Sequence, residues 1–392
     1  MSEPKPRLFT PLFFVMFGFT GTVFLSAFLV LPTTPFRIIE LGGSKFAAGL
    51  FLGFLTYASA FSAPLTGALA DRVGKRRMLL ICSFAIASFH TVYGIVHDYR
   101  LILGLAFVHG AFWSGLLSAS AAYITDIVPE SRRAEGIGYW GLSTNIAIVV
   151  APATGLWLLH HGWVWVCAVA AGLNLVMAAI AWQLDDARSP AFLGGERFFT
   201  RRLLEWRVLL VSLSLCLYSF GYGGITSFSA LYADANQVWP RGIYFITLAV
   251  VILATRPLSV PLADRIGHKK VFIPSVLLVV LGLAILGIGG SRPLLLTSAI
   301  IFSAGFGTAY PVFVAHVMRH VDPTRRGAAF GGVLAAFDTG IGTGSITVGY
   351  LIQHYGFRTA FATAAALSAL SVPYFLFAES RFLRPPEGQT LP

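Results

Sequence analysis

A chain of 392 residues in which 56 % are hydrophobic and 11 % charged has too little polar surface for a water-soluble fold of that length. Its net charge of +11 would raise nucleic acid as a partner in a soluble protein, but the basic residues stand in short segments between long apolar runs, where they orient a membrane protein. The use of 33 Phe and 40 Gly suits helices packed in lipid.

The first ten residues are short and polar, and the apolar run behind them continues past signal-peptide length without a small-residue cleavage site, so it reads as a retained first span. About 20 apolar residues cross a bilayer as a helix. On that measure twelve spans follow: 11–34, 46–69, 78–96, 100–122, 135–158, 163–183, 207–232, 242–262, 271–289, 293–316, 328–350 and 357–378. Pro32, Pro64, Pro152, Pro257 and Pro311 fall inside them and predict kinks. Cys82, Cys167 and Cys216 lie in apolar runs without metal spacing and read as small buried hydrophobes. Residues 184–206 form the longest polar stretch and read as a linker between residues 1–183 and 207–392.

Lys and Arg in the loops set orientation. With the N-terminus inside, 21 of the 28 fall on the cytoplasmic side and 6 outside, with Arg256 left within a span. Both termini are therefore expected in the cytoplasm of a multi-pass protein of the inner (plasma) membrane.

The sequence repeats. GALADRVGKRR at 67–77 returns as VPLADRIGHKK at 260–270, an offset of 193 residues. The same offset carries Arg132 and Arg133 onto Arg325 and Arg326, and Gly138 onto Gly331. Two loops matching at one offset indicate duplication, with a substrate site near the midplane between the halves. Gly74 permits a tight turn between helices. Asp71, at a helix end, can face the positive end of a neighbouring helix. Lys75, one turn on, can pair with Asp71 and with Asp126. The competing reading makes all of these solvated charges that only set topology.

The loop after the second span resembles the signature G-x-x-x-D-R-x-G-R-R of the major facilitator superfamily, here Gly67, Asp71, Arg72, Gly74, Lys75 and Arg76. That resemblance covers nearly the whole chain. It implies an all-α membrane protein of twelve transmembrane helices in two pseudo-symmetric six-helix bundles, working by alternating access. It also implies a cytoplasmic latch of Asp71 against the eleventh helix, which starts near Arg326, with Asp126, Arg133, Asp264, Arg265 and Gly267 completing the paired motifs. In the second copy His268 replaces Lys75 and Arg319 replaces Asp126, so the latch is expected to be asymmetric.

The fifth span, GLSTNIAIVVAPATG, is similar to the signature of exporters, with Gly141, Pro152 and Gly155 matching and Ala151 in place of a glycine. Its small residues would pack on the eighth span. The stretch AAFDTGIGTG at 335–344 resembles the eleventh helix of drug-exporter-like members.

Few ionisable residues lie deep. Asp338 stands roughly 16 Å into the eleventh span and Arg256 about 12 Å from the same side, at 1.5 Å per residue. Such residues face a cavity or a partner, and the two are expected to lie close enough to interact. Asp338 is a candidate proton-coupling carboxylate and Arg256 a candidate anion anchor, or the two form a structural pair. Asn145 occupies the repeat position of Asp338. His90, His109 and His316 lie in spans and read as hydrogen-bonded packing, with His109 the alternative proton site. Phe24, Trp113, Tyr218, Tyr222, Phe306 and Tyr310 are candidates for an aromatic cavity wall suited to amphipathic solutes.

No nucleotide-binding loop, nucleophile elbow or metal-ligand spacing occurs, so neither an enzyme nor a cofactor is expected. The leading reading is a monomeric, proton-coupled exporter of a small amphipathic organic molecule, partnered by protons and lipid. A proton-linked importer of an organic acid and a non-transporting receptor or scaffold on the same fold are the alternatives.

Overall fold

The computed structural model describes residues 7–129, 132–185, 205–321 and 326–383, without the side chains of residues 71, 133–135, 138, 145 and 326–328. Most of the expected linker, residues 186–204, lies outside the described residues. The described residues are almost wholly helical.

The first half holds α1 (Pro11–Val30), a short α2 (Thr34–Glu40), α3 (Lys45–Val73), α4 (Lys75–Ile95), α5 (Tyr99–Ile127), α6 (Arg133–Leu159) and α7 (Trp163–Trp182). The second holds α8 (Trp206–Ala235), α9 (Ile243–Ile266), α10 (His268–Ile288), α11 (Arg292–Met318), α12 (Arg326–Ala369) and α13 (Ser371–Phe382). Helix starts are capped locally: Thr10 Oγ1 accepts from Phe13 N at 3.2 Å and Ser44 Oγ from Ala47 N at 3.0 Å.

Among the described residues, eleven helical stretches are long and apolar enough to cross a membrane, but one of them, Ala329–Phe382, has 54 residues. At 1.5 Å per residue it would reach far beyond a hydrocarbon core of about 30 Å. Gly356, with φ 82° and ψ 171°, breaks α12 and makes two spans of it, giving twelve. The left-handed region is cheap only for glycine, and Gly74 (φ 97°) and Gly267 (φ 102°) make the same turn at the two copies of the repeated motif.

Several boundaries differ from the sequence expectation by four or five residues, among them the ends at Ile127 and Ile266, and two mark turns of the chain. The first membrane-competent stretch runs on to Glu40, and it is broken between Val30 and Thr34, where the expected Pro32 stands. Thr33 and Thr34 hydroxyls donate back to Leu29 O and Val30 O at 2.8 and 2.7 Å, and the chain re-enters helix at α2. The third helix element runs on to Val73, because the Asp-Arg pair belongs to its last turn and only Gly74 ends it.

Packing repeats as the sequence does. In the first half α1 lies on α6, α3 on α5 and α4 on α7; in the second, α8 lies on α12, α9 on α11 and α10 on α12. The halves meet where α3 packs on α12 and, in the corresponding place, α6 on α9. The outer faces are apolar: Phe61 is 80 % exposed, and Leu258, Trp182 and Phe377 also point outward. A bilayer solvates such a surface and water does not. The three cysteines are free, with Cys82 and Cys167 buried.

The glycines at 340–344 set α12 into its seam. A Cβ on Gly344 would strike the Phe220 carbonyl and one on Gly340 the Cys216 carbonyl, both on α8, whereas one on Gly342 would meet Thr56 Oγ1 on α3. Only residues without side chains let one helix lie this close to two others.

Candidate functional site

Contacts between the halves begin at the end of the molecule that carries Gly42. Gln353 Oε1 accepts from Lys45 N at 3.0 Å, Phe46 meets Tyr350 edge-on at 6.0 Å, and His160 stacks on Trp239 at 5.3 Å. They continue inward along α3 and α12. Ser345 Oγ donates to Gly49 O at 2.9 Å, and Tyr57 Oη and Thr343 Oγ1 share a hydrogen bond of 2.8 Å. The innermost is Ser59 Oγ, which donates to Asp338 Oδ2 at 3.1 Å.

At that depth a cavity of about 290 Å³ lies between the halves. Its first-half wall includes Phe24, His90, His109, Trp113 and Asn174, and its second-half wall Tyr222, Arg256, Phe306, Tyr310 and Asp338. Two aromatic groups face each other. Phe24 meets Trp113 edge-on at 5.6 Å. Opposite, Phe306 stacks on Tyr222 at 4.3 Å and on Tyr218 at 5.2 Å. Tyr218 is fully buried behind this wall and does not line the cavity; its hydroxyl donates to Phe306 O at 2.7 Å. Of the residues expected in the wall, the Asn145 side chain lies outside the described residues.

Asp338 and Arg256 share this cavity, and Tyr310 is within electrostatic reach of both. Contrary to the sequence expectation, they make no contact ion pair with each other. The polar partner of Asp338 is Ser59 on the other half. Depth along the sequence puts both at one level, but contact also depends on helix rotation, which depth does not report.

His109 is buried, stacks on Phe89 at 5.3 Å and faces Tyr93 Oη at 3.3 Å through Nδ1. Its neighbour His90, which reads from sequence as packing, also lines the cavity. Asn174 carries no charge and so escapes a search for ionisable groups, although it is the one amide in the apolar run of α7 and such a residue is a site signal in a membrane helix.

At the Gly74 end Lys75 is 6 % exposed and pairs with Asp126 of α5. Arg76 Nη2 donates to Trp182 O at 2.6 Å, tying α4 to the end of α7. In the second half the charges are exchanged. Arg319, at the repeat position of Asp126, pairs with Asp264 at 2.6 Å, and His268 approaches Asp264 at 3.6 Å. Each half thus carries its own ion pair, one buried on its cationic side and the other exposed. Gly67 has open space where a Cβ would stand, Arg265 is exposed, and the side chains of Asp71, Arg133 and Arg326 lie outside the described residues. The small residues of the fifth span divide between two neighbours: Gly155 packs on the Leu29 backbone of α1, and it is Ala153 and Leu156 that meet Gly242 at the start of α9.

Two homologous helical bundles enclosing a mid-depth, mostly apolar cavity with aromatic groups on both sides define a polytopic transport protein. The Major Facilitator Superfamily profile matches residues 13–238 and 239–391, and the chain belongs to that superfamily, whose members are transporters and not enzymes. It is 28 % identical over 393 residues to an uncharacterised MFS-type transporter of Burkholderia mallei (strain SAVP1), covering 95 % of this chain and 93 % of that one. It is 24 % identical over 374 residues to the uncharacterised MFS-type transporter YhhS of Escherichia coli K12, covering 91 % and 89 %. Among solved structures it resembles the nucleoside transporter NupG (TM-score 0.74, 16 % identity, covering 94 % and 99 %). It likewise resembles a bacterial homologue of the human lysosomal transporter Spinster, inward-facing and occupied (TM-score 0.77, 16 % identity, covering 95 % and 97 %). At such identities these structures share the fold alone.

Proposed function

We propose that this chain is a proton-coupled secondary transporter that exports a small amphipathic organic molecule across the inner membrane by alternating access. The observation that carries the coupling is the hydrogen bond of Asp338 to Ser59, because it joins a cavity carboxyl of one half to a helix of the other. An ionised carboxylate in an apolar cavity carries a desolvation cost that a proton removes. Ionised, Asp338 only accepts hydrogen bonds; protonated, it can also donate. Proton gain and loss therefore alter a contact that holds the halves together, and a solute entering the same cavity alters it too.

The loop charge bias, 21 inside against 6 outside, supports cytoplasmic termini. The Gly42 end is then the outer face, and the contacts from Lys45 to Asp338 describe an outwardly closed state. The aromatic walls suit a partly apolar solute. A second reading, import of an organic acid, is favoured by one observation: Arg256 lines the cavity, and a guanidinium is the side chain that meets a carboxylate through two parallel hydrogen bonds.

Reconstituted vesicles with an internal pH dye test the proposal. Solute-driven proton movement that survives Asp338→Asn would refute the coupling role, and accumulation by intact cells rather than exclusion would reverse the direction.

A further inference from the structure

The first half holds a polar cluster that proton coupling does not use. His90 on α4 and Asn174 on α7 are each 1 % exposed, and both line the cavity beside Ser26 and His109. Asn174 Nδ2 lies 2.7 Å from Ala170 O, 2.6 Å from Ser26 Oγ and 3.2 Å from His90 Nδ1. The carbonyl neighbour fixes the amide orientation, since a second carbonyl-type oxygen would not sit there. An amide nitrogen offers only hydrogens. It carries two, which go to the nearer Ala170 O and Ser26 Oγ. His90 also bonds the Ala170 carbonyl, so the proton of the neutral ring is on Nδ1 and Nε2 is an acceptor.

Two atoms are left over. His90 Nε2 and Asn174 Oδ1 are buried and have no hydrogen-bond partner among the described residues. Both are acceptors, on neighbouring side chains that line one cavity. A buried polar group left unmatched costs about 1–3 kcal/mol, so such a pair calls for an explanation. Asp, Glu, Lys and Arg are absent from the hydrogen bonds of the cluster. It does not offer the charge partner that an ionic group would need.

We propose that His90 and Asn174 form a subsite for an uncharged hydroxyl or carboxamide group of the transported solute, with His90 Nε2 and Asn174 Oδ1 both accepting from it. The apolar frame of the solute lies between Phe24, Trp113 and Phe306, and its remaining end faces Arg256 and Tyr310 of the other half. The subsite extends the cavity toward α4 and α7 and selects among amphipathic molecules those with a neutral hydrogen-bond donor. It rests on the reading of the cavity as the solute site.

The test is equilibrium binding to the full-length protein in nanodiscs without a proton gradient. The probes are 2-naphthamide and 2-naphthylmethanol, each against its methylated form, N,N-dimethyl-2-naphthamide and the methyl ether. Methylation keeps the acceptor and removes the donor. One lost hydrogen bond gives about tenfold weaker binding. The native protein is expected to show that preference. Asn174→Leu and His90→Phe are expected to bring each pair to within about twofold of one another while the methylated probes still bind. Equal affinity of the native protein for both members of each pair overturns the subsite, and so does a variant that weakens both members equally. If the methylated probes bind, the cavity reading survives that failure. If no probe binds, both fall. The preference is read on the native protein, so a variant that does not fold leaves the test intact.

Discussion

Ser59 Oγ on α3 donates to Asp338 Oδ2 on α12 at 3.1 Å, and with this bond a helix of the first half holds a carboxyl of the second at the wall of the shared cavity. It is the innermost of the contacts that fasten α3 to α12 from the Gly42 end. Removing the donor and removing the carboxylate should therefore differ. Ser59→Ala is expected to lower transport less than about tenfold, the worth of one hydrogen bond. Asp338→Asn is expected to abolish solute-driven proton movement while equilibrium solute binding persists. Stopped-flow pH measurements in vesicles, set beside binding, check the pair.

The seam itself should be lockable. With Cys82, Cys167 and Cys216 replaced by Ser or Ala, cysteines introduced at Lys45 and Gln353, whose residues touch in this state, should cross-link under oxidation. Transport should stop on oxidation and return on reduction. Unimpaired transport by the fully cross-linked protein would mean that this contact does not open during the cycle.

Gly49 lies where an added Cβ would strike the Ser345 carbonyl across the same seam. Gly49→Leu should hold the two helices apart at the Gly42 end. The variant is expected to lose transport and to label more rapidly with a thiol reagent at a cysteine placed at Gln353. Slower or unchanged labelling would count against the close approach as the closing contact.

The two charge pairs of the repeated motif should respond unequally. Lys75 is buried, and Asp126→Ala leaves its ammonium without that carboxylate, a change that costs about 3–5 kcal/mol for a buried pair. The side chains of Arg319 and Asp264 are 60 % and 47 % exposed, and Asp264→Ala is expected to cost about 0.2–1 kcal/mol. Thermal unfolding in detergent compares them. Equal losses would place the two pairs in similar surroundings and contradict the burial difference.

Much of the fold is legible in the order of the residues. Long apolar runs, loop charges and a motif returning after 193 residues are properties of residues near one another in sequence, and bilayer thickness converts them directly into spans. The glycine turns at Gly74 and Gly267 can be read because the left-handed backbone needs a particular residue type. So can the break after Val30, because Pro32 has no amide hydrogen and disfavours helix at the residue before it.

The cavity is only half legible in this way. The depth of Asp338 and Arg256 follows from counting residues along a helix, and both do line the space between the halves. Which of them touches what depends on how each helix is rotated and which neighbours it meets, so Ser59, not Arg256, is the contact of Asp338. His90 and Asn174 lie on different helices, 84 residues apart, and only packing brings their nitrogens to 3.2 Å. Twelve spans and a duplication follow from residue order, because hydrophobicity and chain reversal are local. The partners of the buried polar groups follow from packing alone, because they are fixed by side chains on helices that lie far apart along the chain.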